Sequence, residues 1–226
     1  MRPLFGVIGL VLVLVGLYPG QAGAQSRDCP LSASRVQADL KLLKGPVRYD
    51  FTRNTRSLRA LSRERGNNAL PSGWLPTGLT LTETGFSMRT RAQVLNLAPG
   101  RYCAVLNGVE AELGHEFFDV FVVNKYRPGS CEHQSILRHE ERHVAIFRDV
   151  LRREAPDLRR ALETEARRMG PIIISDPNQA AQEFQRRLRD RVMPLFKRMN
   201  ERASRENARL DTPENYRREQ RECSNW

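Results

Sequence analysis

The chain has 226 residues, 40% of them hydrophobic, which suits one domain with a full core rather than a disordered chain or a bundle of membrane spans. Its formal net charge is +11, from 37 basic and 26 acidic residues. Beyond residue 24 the balance is 36 basic against 26 acidic, or +10, and it is shared evenly: 15 against 10 before Leu137, then 21 against 16. Charge spread in this way argues against a dedicated nucleic-acid surface and suits a protein that tolerates, or contacts, anionic envelope polymers.

In chain order the first feature is an export signal. Arg2 supplies a positive start, Leu4 to Leu17 is an uncharged apolar run, Pro19-Gly20 breaks it, and Ala22-Gly23-Ala24 is a small-x-small cleavage site. The run falls short of the about 20 residues that a membrane helix needs. Residues 1–24 are therefore expected to be a signal peptide, 25–226 a single domain, and the location periplasmic or secreted. All four cysteines (Cys29, Cys103, Cys131 and Cys223) follow residue 24, and an even count in an exported chain predicts two disulfides. No two have C-x-x-C spacing, so a zinc ribbon is disfavoured. Of the three pairings, Cys103–Cys131 with Cys29–Cys223 is the expected one.

Short extended pieces are expected at Asp39–Leu43 and Val47–Phe51, flanking Gly45-Pro46. A short amphipathic helix follows over Asn54–Arg65. Leu79–Arg89, Arg101–Leu113 and Glu116–Tyr126 are rich in β-branched and aromatic residues and read as strands, the last two as a hairpin turning at Gly114-His115. After Pro128-Gly129-Ser130 the pattern becomes helical. One helix is expected over Ser135–Arg153, ended by Ala155-Pro156-Asp157, and a second from Asp157 to Arg168. A long third helix follows Asp176-Pro177, with an apolar stripe from Ala181 to Met199 and a kink at Pro194. Strands first and helices after make an α+β fold.

Chemistry concentrates in His139-Glu140-Glu141-Arg142-His143. Histidines four apart on a helix project from one face and can grip one metal ion, while Glu140 points beside it as a candidate general base. Zinc (Zn2+) is the expected cofactor, since zinc lowers the pKa of a bound water toward about 7. Glu141 and Arg142 are expected in solvent.

Around this motif the chain resembles the bacterial predicted secreted zinc-dependent proteases, a zincin-like family of HExxH proteins. The resemblance rests on Leu137 to Ile146 around the motif. Tyr49-Asp50-Phe51 leading to the helix at Leu58–Arg65, and Cys103 in a strand before the motif, add to it. It spans roughly Lys41 to Tyr216 and implies a zincin-like fold and peptide-bond hydrolysis. The chain differs from the family at Ala145, where aspartate is common. It also differs in Leu210-Asp211-Thr212-Pro213-Glu214-Asn215-Tyr216, where members carry a histidine.

A third ligand is needed. If the second helix folds back on the first as a hairpin, Glu163 or Glu165 returns past the motif, and Glu163 is the expected ligand, as in gluzincins. Asp211, Glu214 and Tyr216 are alternatives, followed by His115 and His133. His115 is expected at an exposed hairpin tip, His133 as a polar residue opening the motif helix. Strand Glu116–Val123 is a candidate for binding extended peptide by β-addition. The leading expectation is a monomeric exported zinc metallopeptidase acting on a protein or peptide substrate. A non-catalytic envelope protein of the same fold, and a basic helical module binding anionic polymers, are the other two.

Overall fold

A computed structural model describes residues 29–31, 36–64 and 75–226; the expected signal peptide lies outside them. The elements run β1 (Gln37–Lys44), β2 (Val47–Asp50), α1 (Thr55–Glu64), β3 (Gly78–Ala98), β4 (Arg101–Val122), α2 (Cys131–Arg168), β5 (Ile172–Ile174), a 3-10 turn (Pro177–Gln179), α3 (Ala180–Leu210) and α4 (Pro213–Gln220). Strands precede helices in an α+β architecture with one five-stranded mixed sheet.

The sheet is organised by β4. Along one edge it pairs antiparallel with β3. Along the other it meets three short strands in turn: β5 at Tyr102–Ala104, β1 at Gly108–His115 and β2 at Phe118–Phe121. The hairpin turn is Pro99-Gly100, between β3 and β4, and Gly114 is not a turn but a point inside one continuous strand. Glycine serves there because its φ is 142° and a Cβ would lie 2.1 Å from the Leu43 carbonyl oxygen, a conformation and approach that other residues do not tolerate. Both edges of the 116–123 segment are occupied, by β2 and by Gly78–Thr82 of β3. Strand addition at that segment is therefore ruled out.

Helix α2 is one continuous helix of 38 residues that passes through Pro156; the expected break and helical hairpin are absent. Proline at a helix interior costs about 3 kcal/mol. Here the apolar stripe is unbroken across it: Val150, Leu151, Ala155, Leu158, Leu162 and Ala166 are all buried in the main core against the sheet and α3. Burial of Leu-sized side chains at about 1.5–3 kcal/mol each outweighs the proline. Helix α3 likewise runs through Pro194 and buries Phe184, Leu188, Val192 and Met199. Its stripe is core packing, and several of its arginines are tied up in ion pairs, such as Arg187 with Glu183 at 2.7 Å and Arg202 with Glu154 of α2.

The disulfides are Cys29–Cys103 and Cys131–Cys223, with Cα separations of 5.5 and 5.7 Å, within the usual span. This corrects the expected pairing. Cys103 lies inside β4, whereas Cys131 opens α2 at the far end of the strand, too distant to meet it. Two disulfides in one chain belong to an oxidising compartment, and no described helix is long and apolar enough to cross a membrane.

Two histidines are buried away from the motif. His115 is inside β4 rather than at an exposed tip; its Nδ1 is 3.0 Å from the Thr84 hydroxyl and its Nε2 3.3 Å from the Phe147 carbonyl. His133 packs edge-on against Phe51 at 4.7 Å, and neither ring nitrogen has a hydrogen-bond partner. Burial pushes both imidazoles below their ordinary range. A histidine whose folded pKa is below the unfolded value binds its proton more readily when unfolded. Its contribution to stability is therefore present above about pH 6.5 and lost as the pH falls from there toward the folded value. Thermal melts between pH 5 and 7.5 are expected to show that slope, shallower in His133→Phe than in the unmodified protein.

Candidate metal centre

His139, Glu140 and His143 are all buried on the inner face of α2, near the middle of its N-terminal half. Glu141 and Arg142 between them are exposed, as the helical period requires. The two imidazoles meet the carboxylate of Asp211. His139 Nε2 and His143 Nε2 are each 3.1 Å from Asp211 Oδ1, and 3.2 Å from each other. These three atoms belong to the one group of side chains among the described residues that could hold a metal ion.

The outer faces of both rings define their chemistry. His139 Nδ1 is 3.0 Å from Glu219 Oε2, and His143 Nδ1 is 2.7 Å from Asn207 Oδ1. The Asn207 amide nitrogen donates to the Ala203 carbonyl at 2.8 Å, which turns its oxygen toward the imidazole. With an acceptor oxygen at each Nδ1, both rings can donate a proton outward, and a metal ion at the centre would take the place of any proton on Nε2. Two Nε2 nitrogens and a carboxylate oxygen that converge on one point can be bridged by shared protons or by a metal cation between them. Their separations also suit one: ligands about 2.0 Å from a tetrahedral ion lie about 3.3 Å apart. Oriented carboxylate and carbonyl partners of this kind accompany metal-binding histidines.

The electrostatics agree. Burial pulls the His143 imidazole down, but its hydrogen bond to Asp211 and the charges of Glu140 and Asp211 overcome this and push it up to about 9. Burial would raise Asp211, yet its hydrogen bonds with His139, His143 and Tyr216 hold it well below the usual carboxylate range. The site favours positive charge.

Asp211 is positioned by two helix ends. It follows the last residue of α3, and Thr212 caps α4 by accepting from the Asn215 amide at 3.2 Å. Asn215 in turn donates to the Arg209 and Leu210 carbonyls, both at 3.0 Å, tying the end of α3 to the start of α4. Tyr216 donates its hydroxyl to Asp211 Oδ1 at 2.6 Å and stacks on His139 with ring centroids 5.1 Å apart.

Glu140 lies beside the cluster and takes no place in it. Thr80 of β3 donates to its Oε2 at 2.8 Å, and Gly78 makes room for it, since a Cβ there would come 2.3 Å from Oε1. Burial raises its carboxyl above the usual range, against the lowering effect of the two histidines and Thr80. A raised carboxyl is a stronger proton acceptor. Two cavities open on either side of it; Pro76, Gly78, Glu140 and Tyr216 line both.

Glu163 is not part of this group. It lies twenty residues beyond His143 on the same continuous helix, about 30 Å along the axis, and pairs with Arg167 at 3.8 Å. Glu165 pairs with Arg168. Choosing either depended on a hairpin that does not form. Glu214 is exposed beside Arg217, and His115 and His133 have the structural surroundings described above. Asp211, an alternative at the sequence level, is the residue brought to the two histidines. Asn207, Glu219 and Thr80 were not anticipated. Asn207 could have been found, because it stands four residues before Asp211 at the end of the same helix. Thr80 carries no local signal.

No protein-family model, curated protein or solved structure matches the chain.

Proposed function

We propose that this protein is an exported zinc metallopeptidase, in which His139, His143 and Asp211 hold the ion and Glu140 is the general base. The observation that carries this reading is the convergence of two Nε2 nitrogens and one carboxylate oxygen within 3.2 Å of one another, beside a buried glutamate that is not part of the ligand set. Three protein ligands leave a position open, as in catalytic rather than structural zinc sites. Bound there, zinc supplies Lewis acidity and a water acidified toward neutral pH. Glu140, with its raised carboxyl, takes a proton from the attacking water and passes it to the departing amine. Thr80 fixes the carboxylate for both transfers.

The paired cavities on either side of Glu140 suit a chain that passes across the site. Among the described residues no strand pairs with the outer edge of β3, and its Gly78–Thr80 portion borders Glu140. That open edge, rather than the 116–123 segment, is where an extended peptide adds. Export on the N-terminal signal peptide places the enzyme in the periplasm or outside the cell, where the two disulfides persist. Anionic envelope polymers, but not nucleic acid, fit its basic surface, and it acts as a monomer.

Metal analysis tests the centre directly. The purified protein is expected to hold about one zinc per chain, and His139→Ala and Asp211→Ala are each expected to lose it, whereas Glu163→Ala retains it. A protein that binds no divalent ion, or one that binds it unchanged in both ligand variants, overturns the assignment. A zinc-binding protein that cleaves nothing in a broad peptide library would instead be the non-catalytic envelope protein of the same fold.

A further inference from the structure

Tyr216 has a role that neither metal binding nor the Glu140 proton transfers accounts for. Its hydroxyl lies 2.6 Å from Asp211 Oδ1, the oxygen that faces the ion. An ion about 2.0 Å from that oxygen is therefore at most about 4.6 Å from the hydroxyl. Its ring is stacked on His139, so the phenol cannot swing far from the centre. The same side chain lines both cavities, as Glu140 does. A phenol hydroxyl is thus held beside the position a metal ion would take, in the lining of both cavities.

We infer that Tyr216 is a catalytic residue, whose hydroxyl turns its one proton from Asp211 Oδ1 to the oxyanion that develops on the substrate carbonyl as water adds. This rests on the metallopeptidase reading and names the group that stabilises its transition state. The bookkeeping is simple: the water oxygen bonds to the carbonyl carbon, its proton goes to Glu140, and the carbonyl π pair becomes the oxyanion. Tyr216 lends a hydrogen bond and stays protonated. Collapse then returns the pair to the carbonyl and releases the amine with the proton from Glu140. A donor aimed at charge present only in the transition state raises kcat rather than tightening substrate binding.

Tyr216→Phe keeps the ring stack and removes the hydroxyl. It is expected to lower kcat about 100-fold with KM little changed, and to weaken binding of a phosphinic peptide, a tetrahedral transition-state mimic, by a similar factor. Zinc affinity, measured by competition with a chromophoric chelator, is expected to stay within about threefold, since the hydroxyl is no ligand. If Tyr216→Phe matches the unmodified enzyme in kcat and phosphinate affinity, the hydroxyl has no such role. If it loses zinc instead, Tyr216 acts only by positioning Asp211, and the inference is overturned. An unmodified protein that binds zinc but neither cleaves peptides nor binds the phosphinate overturns the hydrolytic reading itself, and this role with it.

Discussion

Glu140→Gln is expected to lower peptide hydrolysis by about 10²–10⁴-fold while leaving about one zinc bound per chain. Glutamine has nearly the same shape and can still accept from Thr80, so the packing against Gly78 and Ile136 survives. What disappears is the carboxylate that, alone among the described residues, borders both cavities. Asp211 and Glu219 are each engaged with the histidines, so neither is free to take its place as base. Full activity in Glu140→Gln would assign proton transfer to another group. Loss of zinc in this variant would make Glu140 a ligand. Steady-state kinetics beside metal analysis on one preparation separate these outcomes.

Breaking Cys131–Cys223 is expected to have the next largest effect, exerted on the candidate metal centre rather than on the core. Helix α4 has a single buried residue, Glu219, so hydrophobic burial does little to hold it. What positions the 211–226 segment is a set of ties to the first turns of α2. Arg138 pairs with Glu222 at 3.0 Å, Arg142 with Glu219 at 2.9 Å, the Asn225 amide donates to Glu132 at 2.9 Å, and Trp226 packs on Tyr126. Exposed ion pairs are worth about 0.2–1 kcal/mol each. A disulfide spanning 92 residues is worth about 4 kcal/mol or more in chain entropy, so it is the dominant tie. The segment carries Asp211, Tyr216 and Glu219, which supply the carboxylate of the candidate metal group, the hydroxyl on it and the carboxylate beside His139. Replacing both Cys131 and Cys223 by serine, or reducing the bond, is expected to weaken zinc binding by about 10–100-fold, the usual cost of losing an orienting partner. The sheet, α2 and α3 should keep their far-ultraviolet circular dichroism. The control is Cys29→Ser with Cys103→Ser, which removes a bond remote from the centre and should leave zinc affinity unchanged. Undiminished affinity after loss of Cys131–Cys223 would show that the smaller contacts suffice.

The contrast between the two predictions mirrors what local sequence can encode. The i, i+4 spacing of His139 and His143, with Glu140 between, dictates a shared helix face wherever that helix packs. The alternation from Leu79 onward dictates strands, and the stripe of α3 dictates a buried face. These are properties of 2.0- and 3.6-residue periods, so α+β order and half of the metal centre were legible from neighbours in the chain. The expectations at Gly114 and Pro156 failed for a common reason. A glycine with positive φ and a proline are both ordinary chain breakers, and each sits here inside an element that packing carries straight through.

Everything that depended on distant residues was decided by tertiary structure. Glu163 was excluded because the apolar stripe of α2 continues past Pro156, and a straight helix takes that carboxylate about 30 Å from the histidines. Asp211 was selected because the end of α3, capped through Asn215, returns beside the start of α2. Cysteine pairing followed from the same return, which brings Cys223 to Cys131 and leaves Cys103 in the sheet to meet Cys29. Backbone geometry alone puts two histidines and a glutamate on neighbouring positions of one helix, so that part of the site was legible locally. Which carboxylate joins them depended on the folded chain, because the three atoms of the candidate metal group converge across 72 and 68 residues, a separation over which no local period carries information.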